Sequence, residues 1–157
     1  SVSLKHTELY VQIADTVFFE KNQAYFAPLP IFLQTNFVTM EIYKEFAFDS
    51  AHYLPNVHDG HKCKNMHGHT YHLRVYVKGT PGEDTGWIFD FKELKDLVRP
   101  LIDQLDHTTL NNVPGLENPT AENITIWFWN HLKPMLPQLS RIELKETPTT
   151  GVVYSGE

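Results

Sequence analysis

Two histidines that flank a single glycine, His67 and His69, have the spacing of metal ligands. In a β-strand, residues i and i+2 point to the same side, so both imidazoles would face one point, and the intervening glycine lets the backbone come close. His52 would supply a third ligand if its segment pairs with this one as a hairpin. Three neutral imidazoles with one open position are typical of a catalytic zinc site. The alternative is a pair of surface histidines in a loop.

The single cysteine of the chain, Cys63, lies four residues before His67. A thiol at this position could be a fourth metal ligand. It could also act as a base or a nucleophile, because cations such as Lys62 and Lys64 favour the thiolate. The remaining alternative is a small, buried thiol without a chemical role, although a cysteine in a polar loop is rarely buried.

Asp106 and His107 follow each other at the end of a predicted helix. A histidine held by a carboxylate is a common general acid or general base. The alternative is a histidine that only complements the helix dipole.

Glu146 shares its strand parity with Ile142 and Leu144 and is therefore expected to face the apolar side. A carboxylate there is costly unless it is paired. One use is a bidentate grip on a ring with two adjacent N–H donors, such as a guanine-like or pterin edge. Otherwise Glu146 lies just past the strand and is solvated.

Hydrophobic periodicity predicts the elements that carry these residues. Alternating apolar residues predict strands over 40–52 and 67–78, and two short strands over 141–146 and 151–156. Residues 90–105 have the pattern of an amphipathic helix that begins with Asp90 and Glu93 as a capping box. A second helix is expected to start at Thr120 as N-cap and to end before Pro134 and Pro137. The order β-β-α-α-β-β predicts an α+β fold.

The first 38 residues differ from the rest, because they are apolar and aromatic without a clean period. We interpret 1–38 as an N-terminal extension of unknown role and 39–157 as one domain. A net charge of −6 argues against binding nucleic acid through its phosphates, and no apolar run is long enough to span a membrane. One cysteine excludes an intrachain disulfide, and with no secretion-signal layout at the start it favours the cytoplasm.

Six segments, in this order, resemble the 6-pyruvoyl-tetrahydropterin synthase family: FDSAH, GHKCKNMHGH, GWIFDF, LDHTTLN, NPTAEN and KETPTTG. They are spread over residues 39–157, and together they are far more specific than His-x-His alone. The three residues between Cys63 and the His-Gly-His segment resemble the bacterial branch, the 6-carboxytetrahydropterin synthases of queuosine biosynthesis.

The resemblance implies a tunnelling fold, with a four-stranded antiparallel sheet and two helices on one face. It also implies subunits that join through their sheets into a homo-oligomer, a trimer or a hexamer made as a dimer of trimers, with sites between subunits. Carried onto this chain, it implies Zn²⁺ as the cofactor and a pterin as the small-molecule substrate. The zinc ligands it implies are His52, His67 and His69.

The remaining roles also follow from the resemblance. Cys63 would be the catalytic base, and Asp106 with His107 the second proton-transfer unit. Glu146 would anchor the pterin and take part in a charge relay, with Thr120 near the same ring.

The implied reaction converts 7,8-dihydroneopterin triphosphate to 6-carboxy-5,6,7,8-tetrahydropterin, with loss of acetaldehyde and triphosphate and without a redox cofactor. Lys62, Lys64 or Arg74 could neutralise the triphosphate. One alternative is a 6-pyruvoyl-tetrahydropterin synthase, which only eliminates triphosphate; another is a zinc-stabilised module that binds a pterin or purine without chemistry.

Overall fold

The computed structural model describes residues 17–20, 23–26 and 38–157. The chain divides after Phe37. In the first part, two short strands, β1 (Val17–Glu20) and β2 (Gln23–Phe26), pair antiparallel. The sequence pattern predicts no element there, and the remaining residues before Val38 lie outside the described part of the chain.

From Val38 onward the order of elements is the predicted one, β-β-α-α-β-β. The strands are β3 (Met40–His52), β4 (His67–Gly79), β5 (Leu139–Thr147) and β6 (Thr150–Tyr154). The helices are α1 (Phe91–Leu105) and α2 (Ala121–Leu132), with two short 3₁₀ helices at Lys62–Lys64 and Leu110–Asn112. The strands form one antiparallel sheet in the order β3-β4-β5-β6, which confirms the α+β prediction.

One continuous apolar core lies between the helices and one face of this sheet. The strand alternation decides which residues enter it: Phe48 on β3, Tyr71 and Leu73 on β4, and Ile142 and Leu144 on β5 are buried. From the helices, a stripe of large side chains packs onto the same face, namely Leu94, Val98, Leu101, Ile102, Leu105, Ile124, Trp127, Phe128, Trp129 and Leu132.

Both predicted helix starts are confirmed by their caps. Asp90 accepts the Lys92 N–H at 2.6 Å, one residue earlier than a capping box would use, and Thr120 accepts the Asn123 N–H at 3.3 Å. Each side chain satisfies a backbone donor that the helix itself leaves unpaired. The Thr120 cap matters most for function, because it fixes the chain that leads into α2.

The sequence pattern also predicts His131 and Met135 on the apolar face of the second helix, but both are exposed, and Trp129 and Leu136 are buried instead. For Met135 the reason is that α2 ends at Leu132, so the helical period does not continue that far. Among the helices in the described part of the chain, none combines the length and apolarity needed to cross a bilayer.

Candidate metal centre and its surroundings

Three histidines meet where β3 ends and β4 begins. His52 pairs directly with His67, and His69 lies opposite Ser50. One ring nitrogen from each of the three histidines lies within 4.8 Å of the other two. The ring centroids are 4.5 Å apart for His52 and His67, and 5.1 Å apart for His67 and His69. The predicted hairpin therefore brings the three imidazoles together.

Backbone carbonyls orient these rings from outside. The Nδ1 atom of His52 lies 2.8 Å from the carbonyl oxygen of Pro119, and that of His67 lies 2.8 Å from the carbonyl oxygen of Asn65. A ring that donates its Nδ1–H to a carbonyl keeps a lone pair on Nε2, which is the form a metal needs. The backbone of Glu146 lies beside the third ring, His69, and opposes the lowering of its pKa.

The Nε2 atom of His52 is the clearest sign of a ligand position. His52 is only 2% exposed, and its Nε2 is buried without a hydrogen-bond partner among the described residues. A buried polar atom left unpaired costs about 1–3 kcal/mol. Coordination of a metal ion by this lone pair would remove that cost, so the residues present fit a metal.

The electrostatics of the cluster also favour neutral ligands. Burial lowers the pKa of His52, and the charges of His67 and His69 lower it further, against the opposing hydrogen bond to Pro119. Burial and then His67 likewise lower the pKa of His69. Both rings therefore stay uncharged at a pH where a free histidine begins to bind a proton. Three neutral imidazoles suit Zn²⁺ and other transition metals that prefer nitrogen ligands.

Cys63 lies close to this cluster along the chain but is not part of it. It is half-buried in the 3₁₀ helix Lys62–Lys64. The ligand group found among the described residues consists of the three histidines and does not include its thiol. The backbone carbonyl of Cys63 accepts the Leu54 N–H at 2.8 Å, which ties this turn to the chain just after His52.

Glu146 stands beside the metal ligands, at a register shift between Lys145 and Thr147. Together with His69 it lines a cleft at the end of the sheet. Burial raises the pKa of the Glu146 carboxyl; the negative charge of Glu122 raises it further and His67 opposes this.

Glu122 was missed by the sequence analysis. It occupies the first turn of α2, two residues after Thr120. Its place in the NPTAEN segment, which also contains Pro119 and the N-cap Thr120, is the signal that could have identified it. Glu122 is therefore close enough to raise the pKa of the Glu146 carboxyl.

Asp106 and His107 are held against the edge of β3. The Asp106 Oδ1 accepts the Asp49 N–H at 2.9 Å, and the His107 N–H donates to the Asp49 carbonyl oxygen at 2.7 Å. The Asp106 Oδ1 lies 3.9 Å from the His107 Nε2, too far for a hydrogen bond. The main partner of this carboxylate is thus the strand backbone. The His107 ring is 79% exposed and lines a second cleft that also contains His69.

Comparison with known proteins points to one family. The family model described as 6-pyruvoyl tetrahydropterin synthase matches residues 41–157. A 6-carboxy-5,6,7,8-tetrahydropterin synthase from Synechocystis sp. is 44% identical over 119 residues, which is 72% of this chain and 91% of that protein. A 6-pyruvoyl tetrahydrobiopterin synthase from Dictyostelium discoideum is 42% identical over 101 residues, covering 61% of this chain and 75% of that protein.

A solved structure shows the same fold. The structure of Caenorhabditis elegans 6-pyruvoyl tetrahydropterin synthase superposes with a TM-score of 0.71 at 26% sequence identity. The match covers 76% of this chain and 97% of the nematode protein.

We expect His67→Ala to lose most of its bound divalent metal, because two ligands cannot hold the ion that three hold. The measurement is metal content by plasma mass spectrometry after loading and desalting, where the wild type should retain about one ion per chain. His72→Ala is the matched control. His72 belongs to the same strand but faces the other side of the sheet, 3.8 Å from Glu45. Full occupancy in His67→Ala would refute the ligand assignment.

Glu146→Gln should raise the melting temperature of the metal-free protein at pH 7. The pKa of Glu146 is raised on folding, so above the unfolded value of about 4.5 the unfolded chain loses its proton first and the folded state is penalised. The difference from wild type should shrink as the pH falls through about 4.5 and should be lost well below it, where both states are protonated.

Glu143→Gln on the same strand is the control, and we expect a change of melting temperature in the opposite direction. Although burial alone raises the pKa of Glu143, its bond from Tyr76 and the charges of Arg74 and Lys145 lower it overall. Replacing this carboxylate should therefore lower the melting temperature at pH 7. Equal shifts in the two variants would contradict the assigned environments.

Proposed function

The chain belongs to the 6-pyruvoyl tetrahydropterin synthase family, whose model covers residues 41–157, and on this basis we propose that it is a zinc-dependent carbon–carbon lyase. The reaction proposed is the conversion of 7,8-dihydroneopterin triphosphate to 6-carboxy-5,6,7,8-tetrahydropterin, with release of acetaldehyde and triphosphate. The observation that carries the metal-dependent part is the cluster of three histidines around the unpaired Nε2 of His52. The name of the Synechocystis relative supports the 6-carboxy product.

His52, His67 and His69 would hold the zinc ion, which leaves one position open to substrate. When bound, Zn²⁺ supplies a Lewis acid at the oxygens of the substrate side chain and lowers the cost of removing a proton there. The carbonyls of Pro119 and Asn65 keep two of the rings in the ligating tautomer.

Cys63 is the proposed base that takes a proton from the substrate side chain. Three histidines already fill the protein's share of an open zinc site, so the thiol is free for acid–base work. The hydrogen bond from Leu54 to the Cys63 carbonyl keeps this turn next to the end of β3, two residues after His52.

His107 is the proposed second proton-transfer group. Its backbone is fixed to β3 by Asp49, while its ring remains exposed beside the cleft that contains His69. Asp106 secures the same segment and can hydrogen-bond the ring only after the two side chains move closer than 3.9 Å. The exposed ring is consistent with a site that a second copy of the chain closes, in a trimer or a dimer of trimers.

Glu146 is the proposed anchor of the pterin, because two N–H donors of the ring would match its two oxygens and favour its ionised form. Thr120, the N-cap of α2, and Glu122 in its first turn would lie near the same ring. A 6-carboxy product would place the chain in queuosine biosynthesis in the cytoplasm.

The Dictyostelium relative supports a second candidate, a 6-pyruvoyl former that eliminates triphosphate without carbon–carbon cleavage. Incubation of the purified, zinc-loaded protein with dihydroneopterin triphosphate separates the candidates. Mass spectrometry should show the 6-carboxy product, with acetaldehyde trapped as a hydrazone. A pyruvoyl product without acetaldehyde would favour the second candidate, and unchanged substrate would favour a binding module without chemistry.

Cys63→Ser should keep its zinc but lose about 10²–10⁴-fold in kcat, the range typical of a lost acid–base group. The two measurements are turnover and metal content on the same preparation. Loss of zinc together with turnover would identify Cys63 as a fourth ligand instead of a base.

Glu146→Gln should weaken pterin binding by at least about tenfold, because an amide replaces one acceptor by a donor and leaves a buried mismatch. Zinc content should be unchanged. Titration of the intrinsic fluorescence with a non-reactive pterin measures the affinity. Glu122→Gln, measured in parallel, tells which carboxylate makes the main contact. Wild-type affinity in Glu146→Gln would refute its role as the anchor.

A further inference from the structure

The turn that carries Cys63 is capped by a histidine side chain. His61 is the N-cap of the 3₁₀ helix Lys62–Lys64, and its Nδ1 accepts the Cys63 N–H at 3.1 Å. Backbone bonds from Lys64 to the carbonyl of His61 and from Asn65 to that of Lys62 complete the turn. The cap is therefore the one side-chain bond to the backbone of Cys63 among the described residues.

An imidazole can take this role in only one form. Asparagine, aspartate and serine are the common caps because their oxygens always accept, whereas Nδ1 of histidine accepts only when it carries no proton. The bond to Cys63 thus places the ring proton on Nε2. His58 packs against the same ring at a centroid distance of 5.3 Å and at right angles, which limits its rotation.

Two bonds together fix the backbone of Cys63. On its N–H side it is held by His61, and on its carbonyl side by the N–H of Leu54 at 2.8 Å. Leu54 lies two residues after His52, so the second bond holds the Cys63 turn next to the end of β3 and its histidine. A 3₁₀ turn this short has little stability of its own, and the cap decides whether it keeps its shape.

We propose that His61 is a positioning residue for Cys63, whose Nδ1 cap holds the turn in the geometry from which the thiol can reach the substrate. This rests on the proposed role of Cys63 as the base. Among the described residues, the hydrogen bond of the His61 side chain goes to the Cys63 N–H and none goes to His52, His67 or His69, so its effect should fall on kcat and leave metal binding unchanged.

The single cysteine of the chain makes the test direct. Protein labelled with ¹⁵N-cysteine gives one amide signal, that of Cys63, and its hydrogen-exchange rate reports the cap. In zinc-loaded full-length His61→Ala, this amide should exchange about tenfold faster and kcat should fall about tenfold, the effect of losing one cap. KM and zinc content should match the wild type. His61→Asn, which restores an acceptor at the cap, should recover both the slow exchange and most of kcat.

His72→Ala is the control, since His72 lies on β4, on the other face of the sheet from the three histidines, with its ring 3.8 Å from Glu45. It should leave exchange at Cys63 and kcat near wild type. Fast exchange without loss of kcat in His61→Ala would overturn the proposal, as would slow exchange without recovery of kcat in His61→Asn. Absence of turnover in the wild type would instead refute the proposed function, while the exchange rates would still decide whether His61 holds the turn.

Discussion

The site depends on the register between β3 and β4. Pairing of His52 with His67 sets all three imidazoles on one side at the end of the hairpin. Because side chains alternate along a strand, a slip of one residue would send the ligands of the two strands to opposite faces. The core prevents that slip: Phe48 stacks on Tyr71 with ring centroids 5.0 Å apart, and both are buried on the face that carries the histidines. The same apolar packing that stabilises the sheet therefore aligns the ligands.

A residue far from the hairpin in sequence fixes the orientation of the His52 ring. The carbonyl that orients His52 belongs to Pro119, 67 residues later in the chain. Its position follows from the cap of Thr120 on α2 and from Asn111, whose side chain bonds both the N–H and the carbonyl of Tyr53 at 3.0 and 2.8 Å. The loop before α2 is thus fastened to the residue that follows His52, so the helix layer and the strand end form one unit around the ligand.

The sequence predicted what depends on local periodicity. Strand alternation was enough to place His52, His67 and His69 on one face, and the caps at Asp90 and Thr120 were visible as residue types. It could not reveal contacts made across the fold, such as the bond from Asp49 to Asp106 or the charge of Glu122 beside Glu146. Nor did it predict the pair of strands at 17–26, where aromatic residues follow no clear alternation.

The hydrogen-bond partners of His52 and His67 are neutral backbone carbonyls, which do not reduce the positive charge of a metal bound there. Among the described residues, His52 and His67 hydrogen-bond to neutral carbonyls and the backbone of Glu146 lies beside His69, so no carboxylate is hydrogen-bonded to any of the three rings. A divalent ion held by three neutral rings keeps its full charge, and nearby carboxylates would then feel it strongly. Glu146 is the carboxylate most affected, since burial and Glu122 raise its pKa in the metal-free protein. Metal binding would oppose that shift and favour the ionised carboxylate. A metal at the three histidines would therefore set the charge of Glu146, the proposed pterin anchor, without a direct bond between the two.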